Sequence, residues 1–280
     1  MTTPASTVLY PLGSMGWIPS GYSQTACYAF FRGDNLIIID AGSGLARLMD
    51  LRQTLFNESW LRLKQVRIFL THYHLDHCAG LFWIRGIFGD LPVTIYAPGP
   101  DIYGRPAKDI LDDLFRKPYS PKRLEEFGPD IRIEDLSLSG LTIDTAPSPL
   151  KILVRKNTLH SDPSVSLRFG DLFTFITDTP AEDDLVEFAR GSKVLLHESW
   201  YDSSRDYKGE SDPLDRHNSA PHAGSFGAGL VSKRAGIDRL YLIHHNPERL
   251  RSEIDEDARK VSEKLGIDCR AVWDLMEIDI

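Results

Sequence analysis

Short apolar runs separated by turn residues recur along this chain, and most have the length of a strand rather than a helix. Val8–Leu12, Ala26–Arg32, Leu36–Asp40, Val66–Leu70, Val93–Ala97, Lys151–Arg155, Ser164–Phe169, Leu172–Thr177, Lys193–His197, Leu240–His244 and Ala271–Ile280 are runs of this kind. Helical segments are expected over Gly44–Leu55, Ile110–Phe115, Lys122–Phe127, Glu182–Ala189, His222–Ala235 and Ser252–Leu265. Arg32-Gly33-Asp34-Asn35 and Gly170-Asp171 carry hairpin turn residues. Later strands alternate with helices. Both halves of the chain hold a strand-rich stretch followed by strand–helix units. The pattern predicts an α/β protein, a single domain over residues 1–280. Its two αβ halves, roughly 1–155 and 156–280, would pack sheet to sheet with helices outside, an αββα four-layer sandwich. The stretch Pro98–Pro129, rich in Pro, Gly and charge, has two readings: a lid over a site, or a surface connection with short helices.

Composition narrows the partners more than the fold. A chain of 280 residues can bury a large core, and 42% hydrophobic with 26% charged residues is ordinary for a globular protein. The net charge of -8 disfavours an extended nucleic-acid surface, which needs clustered Lys and Arg, but leaves a small nucleotide open as substrate. Cys27, Cys78 and Cys269 are odd in number and far apart, so a reducing, cytoplasmic setting without a disulfide framework is expected. Met1–Tyr10 lacks a basic segment followed by an apolar core, and no apolar run approaches membrane-spanning length. Neither a secretory signal nor a membrane partner is therefore expected.

The chemistry concentrates in Thr71-His72-Tyr73-His74-Leu75-Asp76-His77-Cys78-Ala79-Gly80, directly after the Val66–Leu70 run. His72 and His74, two apart in an extended segment, can point the same way. Asp76 and His77 fall on the following turn and can face a second point in space. Imidazole nitrogen and carboxylate oxygen in this density read as two adjacent divalent metal ions, zinc first, manganese or iron next. Two ions need further ligands, and His160, Asp178, His197, His217, His222, His244 and His245 are available. Asp178 closes the Phe173–Thr177 run and His244 closes Leu240–Ile243, so donors at neighbouring strand ends can converge at one sheet edge.

His72-x-His74-x-Asp76-His77, followed by a later His, an Asp and a final His, resembles the motif of the metallo-β-lactamase superfamily. The resemblance runs from Leu12-Gly13 to the last strand. It implies His72, His74 and His160 on the first metal, Asp76, His77 and His244 on the second, and Asp178 bridging them. It further implies that Asp40 orients ligand histidines, although a turn cap into the Gly42–Gly44 loop is a second reading. His217 and His245 are read as surface or supporting residues rather than ligands.

Leu195-Leu196-His197-Glu198-Ser199-Trp200 and His222 refine the resemblance toward the ribonuclease Z-like and phosphodiesterase-like branch, where a strand ends in His-Glu and a further His precedes the final metal histidine. By that resemblance the catalytic residues are His222, which protonates the leaving oxygen, Glu198, which orients or charges it, and Asp76. A carboxylate beside an imidazole raises its pKa, as a proton donor to an alkoxide requires. The implied reaction is hydrolysis of a phosphodiester in a small nucleotide or short nucleic acid by a metal-bridging hydroxide, the substrate being small and anionic. Alternatives are a carboxyl-ester, lactone or sulfate-ester hydrolase and, from another class, a di-iron redox or binding protein. A homodimer is expected only because similar proteins form one. The chain departs from ribonuclease Z at Ala223-Gly224, where that family has Ser-Thr, and lacks a Gly- and Lys-rich arm for transfer RNA. Arg116–Pro121 and Gly13–Pro19 instead resemble loops of small phosphodiesterase-like relatives, and glycines in the second could bring backbone N–H groups to an anion or simply form a turn.

Overall fold

A computed structural model of the chain describes residues 7–128 and 130–280. The first six positions of the Met1–Tyr10 stretch, and Pro129 at the end of the Pro98–Pro129 stretch, lie outside the described residues. In chain order the strands are β1 (Val8–Gly13), β2 (Cys27–Arg32), β3 (Asn35–Ile39), β4 (Gln65–Phe69), β5 (Val93–Pro98), β6 (Ile131–Leu136), β7 (Leu141–Ile143) and β8 (Leu150–Asn157). There follow β9 (Ser164–Phe169), β10 (Phe173–Ile176), β11 (Val194–Glu198), β12 (Asn218–Ser219), β13 (His222–Ala223), β14 (Arg239–Ile243), β15 (Asp268–Ala271) and β16 (Ile278–Asp279). Two seven-stranded sheets form, in the orders β16-β1-β2-β3-β4-β5-β6 and β15-β14-β11-β10-β9-β8-β7, with β12 and β13 as a separate small pair. β3 to β6 run parallel, as do β10, β11, β14 and β15.

Both faces of each sheet are covered, and the strands divide their side chains accordingly. Tyr28 and Phe30 of β2, and Ile37 and Ile39 of β3, point into the layer between the sheets, while Cys27, Ala29, Leu36 and Ile38 face the helices outside. From the second sheet, Phe173 and Phe175 of β10 and Leu196 of β11 enter the same central layer, and Leu195, Leu240 and Leu242 face outward. The layer is pinned by edge-to-face rings: Phe30 meets Phe169 at 5.9 Å and Phe173 at 5.6 Å, and Tyr28 meets Phe175 at 5.0 Å. Helices Asp183–Ala189, Ser225–Ala235 and Arg251–Leu265 cover the second sheet, and others, including Ile84–Phe88 and Ala107–Leu114, cover the first. The result is the αββα four-layer sandwich.

Three features depart from the sequence pattern. The chain changes sheets between β6 and β7, so the expected division at 155/156 falls inside β8, and β16 returns to the first sheet. β6 and β7 are edge strands: the exposed charges of β6 hide its apolar alternation, and β7 is only three residues long. Ala271–Ile280 is not one strand. β15 ends at Ala271, Leu275 adopts a left-handed turn with φ 67°, and only Ile278–Asp279 pairs again. The break places Asp274 where its carboxylate accepts hydrogen bonds from the Ser14 and Gln24 backbone N–H groups and the hydroxyls of Ser14 and Ser23, and pairs with Arg47 at 2.9 Å. One helix begins later than expected, at Ser225, another earlier, at Ala107, and Gly44–Leu55 resolves into a 3-10 turn over Ser43–Arg47 followed by a helix over Leu48–Leu51.

All three cysteines are free and buried. No helix among the described residues is long and apolar enough to cross a membrane. The rings between the sheets set their separation. Phe30→Ala is therefore expected to lower the unfolding free energy by about 3–5 kcal/mol, read as a shift of the denaturant midpoint. A loss below about 1 kcal/mol would show that this layer does not hold the sheets together.

Candidate metal centre

The carboxyl ends of the parallel strands of both sheets meet at one edge of the sandwich, the usual place for an α/β site. Asp40 follows β3, Thr71 and His72 follow β4, Asp178 follows β10, Glu198 ends β11 and His244 follows β14. Asp40, Asp178 and His244 have φ values of 57°, 50° and 52°. A left-handed conformation costs a non-glycine residue of order 1 kcal/mol or more, and here it recurs at three strand ends whose side chains all enter the same cluster.

Two donor groups face Asp178. His77 Nε2, His244 Nε2 and Asp76 Oδ2 form one: His77 lies 3.2 Å from His244 and 3.3 Å from Asp76, and His244 lies 3.5 Å from Asp76. Asp178 Oδ2 stands 3.2 Å from His77 and 3.4 Å from His244. Four ligands about 2.0–2.1 Å from a tetrahedral ion would stand about 3.3–3.4 Å apart, so these spacings fit a zinc-sized cation. The other group is His72, His74 and His160, all donor atoms within 4.8 Å of one another. There His160 Nε2 is 3.3 Å from His74 Nδ1 and 3.7 Å from Asp178 Oδ1. His72 Nε2 is buried and has no hydrogen-bond partner among the described residues, which is the state of a nitrogen kept for a metal.

The far side of these rings is tied down. His77 Nδ1 donates to buried Asp40 at 2.8 Å, and Asp40 also accepts from the Thr71 backbone N–H at 2.7 Å and the Thr71 hydroxyl. His72 Nδ1 meets the Thr71 hydroxyl at 3.1 Å, and His74 Nε2 meets Asp162 at 3.1 Å. Burial, then the neighbouring His77, pushes the His72 imidazole well below its ordinary pKa, leaving a neutral ligand. Burial opposes protonation of His77 too, but Asp76, Asp40 and Asp178 outweigh it and raise its pKa. Asp178 is held below the usual carboxylate range, since His244, His77, His72 and His160 outweigh its burial.

Beside the donors stands a dyad. His222 Nδ1 donates to Glu198 Oε2 at 2.8 Å, and Glu198 Oε1 accepts from the backbone N–H groups of Thr179 and Ala223 at 2.8 and 3.3 Å. Burial lowers the His222 pKa, Glu198 raises it by more, and the net direction is upward. Trp200 lies flat on His222, rings 4.4 Å apart at 13°, and fixes the plane of the imidazole. His222 sits in β13, ahead of the helix that was expected to begin with it. A cleft of about 280 Å³ opens over the cluster, lined by Trp17, His74, Asp76, His160, Asp178, Trp200 and His222 among others.

All ten residues singled out in the sequence for the site and its support, namely Asp40, His72, His74, Asp76, His77, His160, Asp178, Glu198, His222 and His244, converge here. Asp162 was missed; its signal was an acid two residues after His160. His217 and His245 are not surface residues. Both are buried, His217 against Asp212 at 3.3 Å and His245 donating to the Val272 carbonyl at 2.9 Å. His197 is buried within β11 and approaches the Glu198 carbonyl. No described residue of the 98–129 stretch lines the cleft; Ala107, Leu111, Phe115 and Leu124 pack on the first sheet. In the Gly13–Pro19 loop, the Gly16 and Trp17 N–H groups are engaged by the His245 carbonyl and the Asp76 carboxylate, so they are not free for an anionic substrate. Gly16 is needed for space, because a Cβ there would lie 2.5 Å from the His244 ring. Asp40→Ala, which frees His77 to rotate, is expected to weaken retention of a divalent metal by about 10–100-fold in chelator competition. Unchanged retention would remove Asp40 from the support of the site.

Comparison with known proteins accords with this arrangement. Ribonuclease Z of Thermoplasma acidophilum is 26% identical over 270 residues, covering 81% of this chain and 82% of that protein. The metallo-beta-lactamase fold protein YhfI from Bacillus subtilis superposes with a TM-score of 0.72 at 19% identity, over 98% of this chain and 100% of that one. The short form of human tRNase Z does so with a TM-score of 0.64 at 16% identity, over 98% and 99%. A family model described as the metallo-beta-lactamase superfamily matches residues 20–197, more than half of the sequence. With that match, the fold and the clustered donors, the chain belongs to the metallo-beta-lactamase superfamily, and divalent-metal binding comes with that membership.

Proposed function

We propose that this protein hydrolyses phosphodiester bonds at two divalent metal ions, zinc by preference, and that its substrate is a small nucleotide or a short nucleic acid. The chain is a hydrolase. His72, His74 and His160 would hold one ion, Asp76, His77 and His244 the other, and Asp178 both. Such a pair supplies Lewis acidity to a phosphoryl oxygen and lowers the pKa of water toward neutrality.

The observation that carries the reading is the Glu198–His222 dyad, because His222 is placed beside the donors without being needed as one of them. A nitrogen of His222 lies within 4.8 Å of donor atoms of His160 and Asp178, close enough to serve a substrate held between them. Glu198 accepts the Nδ1 proton and is itself fixed by two backbone N–H groups, so the ring presents Nε2 to the cleft. The step assigned to His222 is donation of its Nε2 proton to the leaving oxygen, with Glu198 stabilising the charged imidazole beforehand. Trp200 keeps the ring from turning away. An alkoxide leaving group needs that proton. The relative named ribonuclease Z supports phosphodiester chemistry at such a site.

The size of the substrate follows from charge. No Lys or Arg among the described residues lines the cleft, and the chain carries a net charge of -8. A long polyanion would meet repulsion outside the site and few phosphate contacts within it. A single phosphodiester would need only the metals and His222.

A substrate panel on metal-quantified protein tests this, with bis(p-nitrophenyl) phosphate, cyclic nucleotides, precursor tRNA, a lactone and a thioester. Turnover of the phosphodiesters is expected. His222→Ala should lose about 100-fold or more in kcat with its metal retained. Robust lactone or thioester cleavage without phosphodiester turnover would refute the assignment. Asp178→Ala is expected to lose both metals by elemental analysis, and full occupancy in that variant would exclude a bridging role.

A further inference from the structure

The cleft has one wall that neither the donors nor the dyad accounts for. Trp17 lines it, yet 60% of the residue is exposed. Its φ is 58°, and the Ile18 N–H donates to the Gly16 carbonyl at 2.7 Å across it, a three-residue turn of the rare γ kind. The Trp17 N–H donates to Asp76 Oδ2 at 2.7 Å, which ties this turn to the donor cluster. Strain in the turn and a large apolar side chain in water both oppose the arrangement, and no aromatic or cationic partner within the described residues stacks on this indole. A persistent outlier of this sort at the mouth of a site points to a use for the exposed ring. Trp200, which lines the same cleft, is already stacked on His222 and tilted over His244 at 5.5 Å. With no Lys or Arg among the described residues of the lining, and His222 assigned to the reacting oxygen, no cationic side chain is left to hold the part of the substrate that does not react.

We infer that Trp17 is a stacking platform for a nucleobase next to the reacting phosphate. This rests on the phosphodiester reading above and deepens it: the site selects nucleotide esters over alkyl or sugar phosphate esters by stacking on an aromatic face. Every base has such a face, so selection by this means is tolerant of base identity. It also responds weakly to salt, unlike affinity built from ion pairs.

The test is equilibrium binding to the metal-loaded protein of adenosine 5′-monophosphate and of ribose 5-phosphate, which carry the same phosphate and differ by the base. The nucleotide is expected to bind about tenfold tighter or more. Trp17→Ala should bring the two ligands to near parity, and Trp17→Phe should restore most of the preference. Equal affinities in the unmodified protein would overturn the inference, as would a preference that survives Trp17→Ala. The comparison in the unmodified protein decides the matter even where a variant fails to fold. A nucleotide preference without phosphodiester turnover would sink the assigned reaction but leave the stacking site standing. Phosphodiester turnover without a nucleotide preference would do the reverse.

Discussion

Three carboxylates withdrawn from water at the ends of two sheets are the constraint that the rest of the structure meets. Asp40, Asp178 and Glu198 are all buried. A buried carboxylate without partners costs several kcal/mol, roughly enough to unfold a domain of ordinary stability. Each is therefore surrounded by donors fixed in the backbone or on short side chains. Asp40 takes the Thr71 N–H, the Thr71 hydroxyl and His77; Glu198 takes the N–H groups of Thr179 and Ala223 and His222; Asp178 takes the Thr177 hydroxyl and faces the imidazoles. The strand ends must lie where they do for these bonds to exist. The histidines are oriented as a result, and the site inherits its geometry from the need to compensate buried charge.

The site also straddles the two halves. Asp76 and His77 come from the short helix Leu75–Cys78 after the first sheet's β4, and Asp178 and His244 follow strands of the second, yet their donor atoms stand 3.2 to 3.5 Å apart. A slip of either sheet by a fraction of an ångström would spoil that spacing. The rings of Phe30, Phe169 and Phe173, meeting edge to face between the layers, are suited to resist it, because interlocked aromatic packing tolerates little sliding. Packing deep in the sandwich and ligand spacing at its edge are thus one mechanical problem.

Much of this was legible in the sequence because ligand chemistry leaves a local mark. His72, His74, Asp76 and His77 lie within six positions, and Asp178 and His244 each close an apolar run. The four layers followed from strand-length runs alternating with helical spacing. What was hidden is long-range or edge-bound. Asp162 gains its role from His74, 88 residues away, and nothing near it in sequence announces that partner. β6 is hidden because an edge strand with an exposed face carries charges that mask its alternation, and β7 because three residues are too few to show any. The Ala271–Ile280 run looked like a strand because its apolar content is real; the chain uses those residues around a tight turn. Trp17 could be noted as part of a loop, but its exposure and its positive φ belong to the folded chain alone.

The Asp274 carboxylate draws together Ser14, Ser23, Gln24 and Arg47, residues at least 227 positions earlier in the chain. Those bonds flank the turn that carries Gly16 and Trp17. A loop tethered on both sides loses little conformational freedom when a ligand arrives, so little of the binding free energy goes into ordering it. The rim of the cleft is therefore rigid before any substrate reaches it, and recognition there is closer to docking against a fixed edge than to closure around a guest.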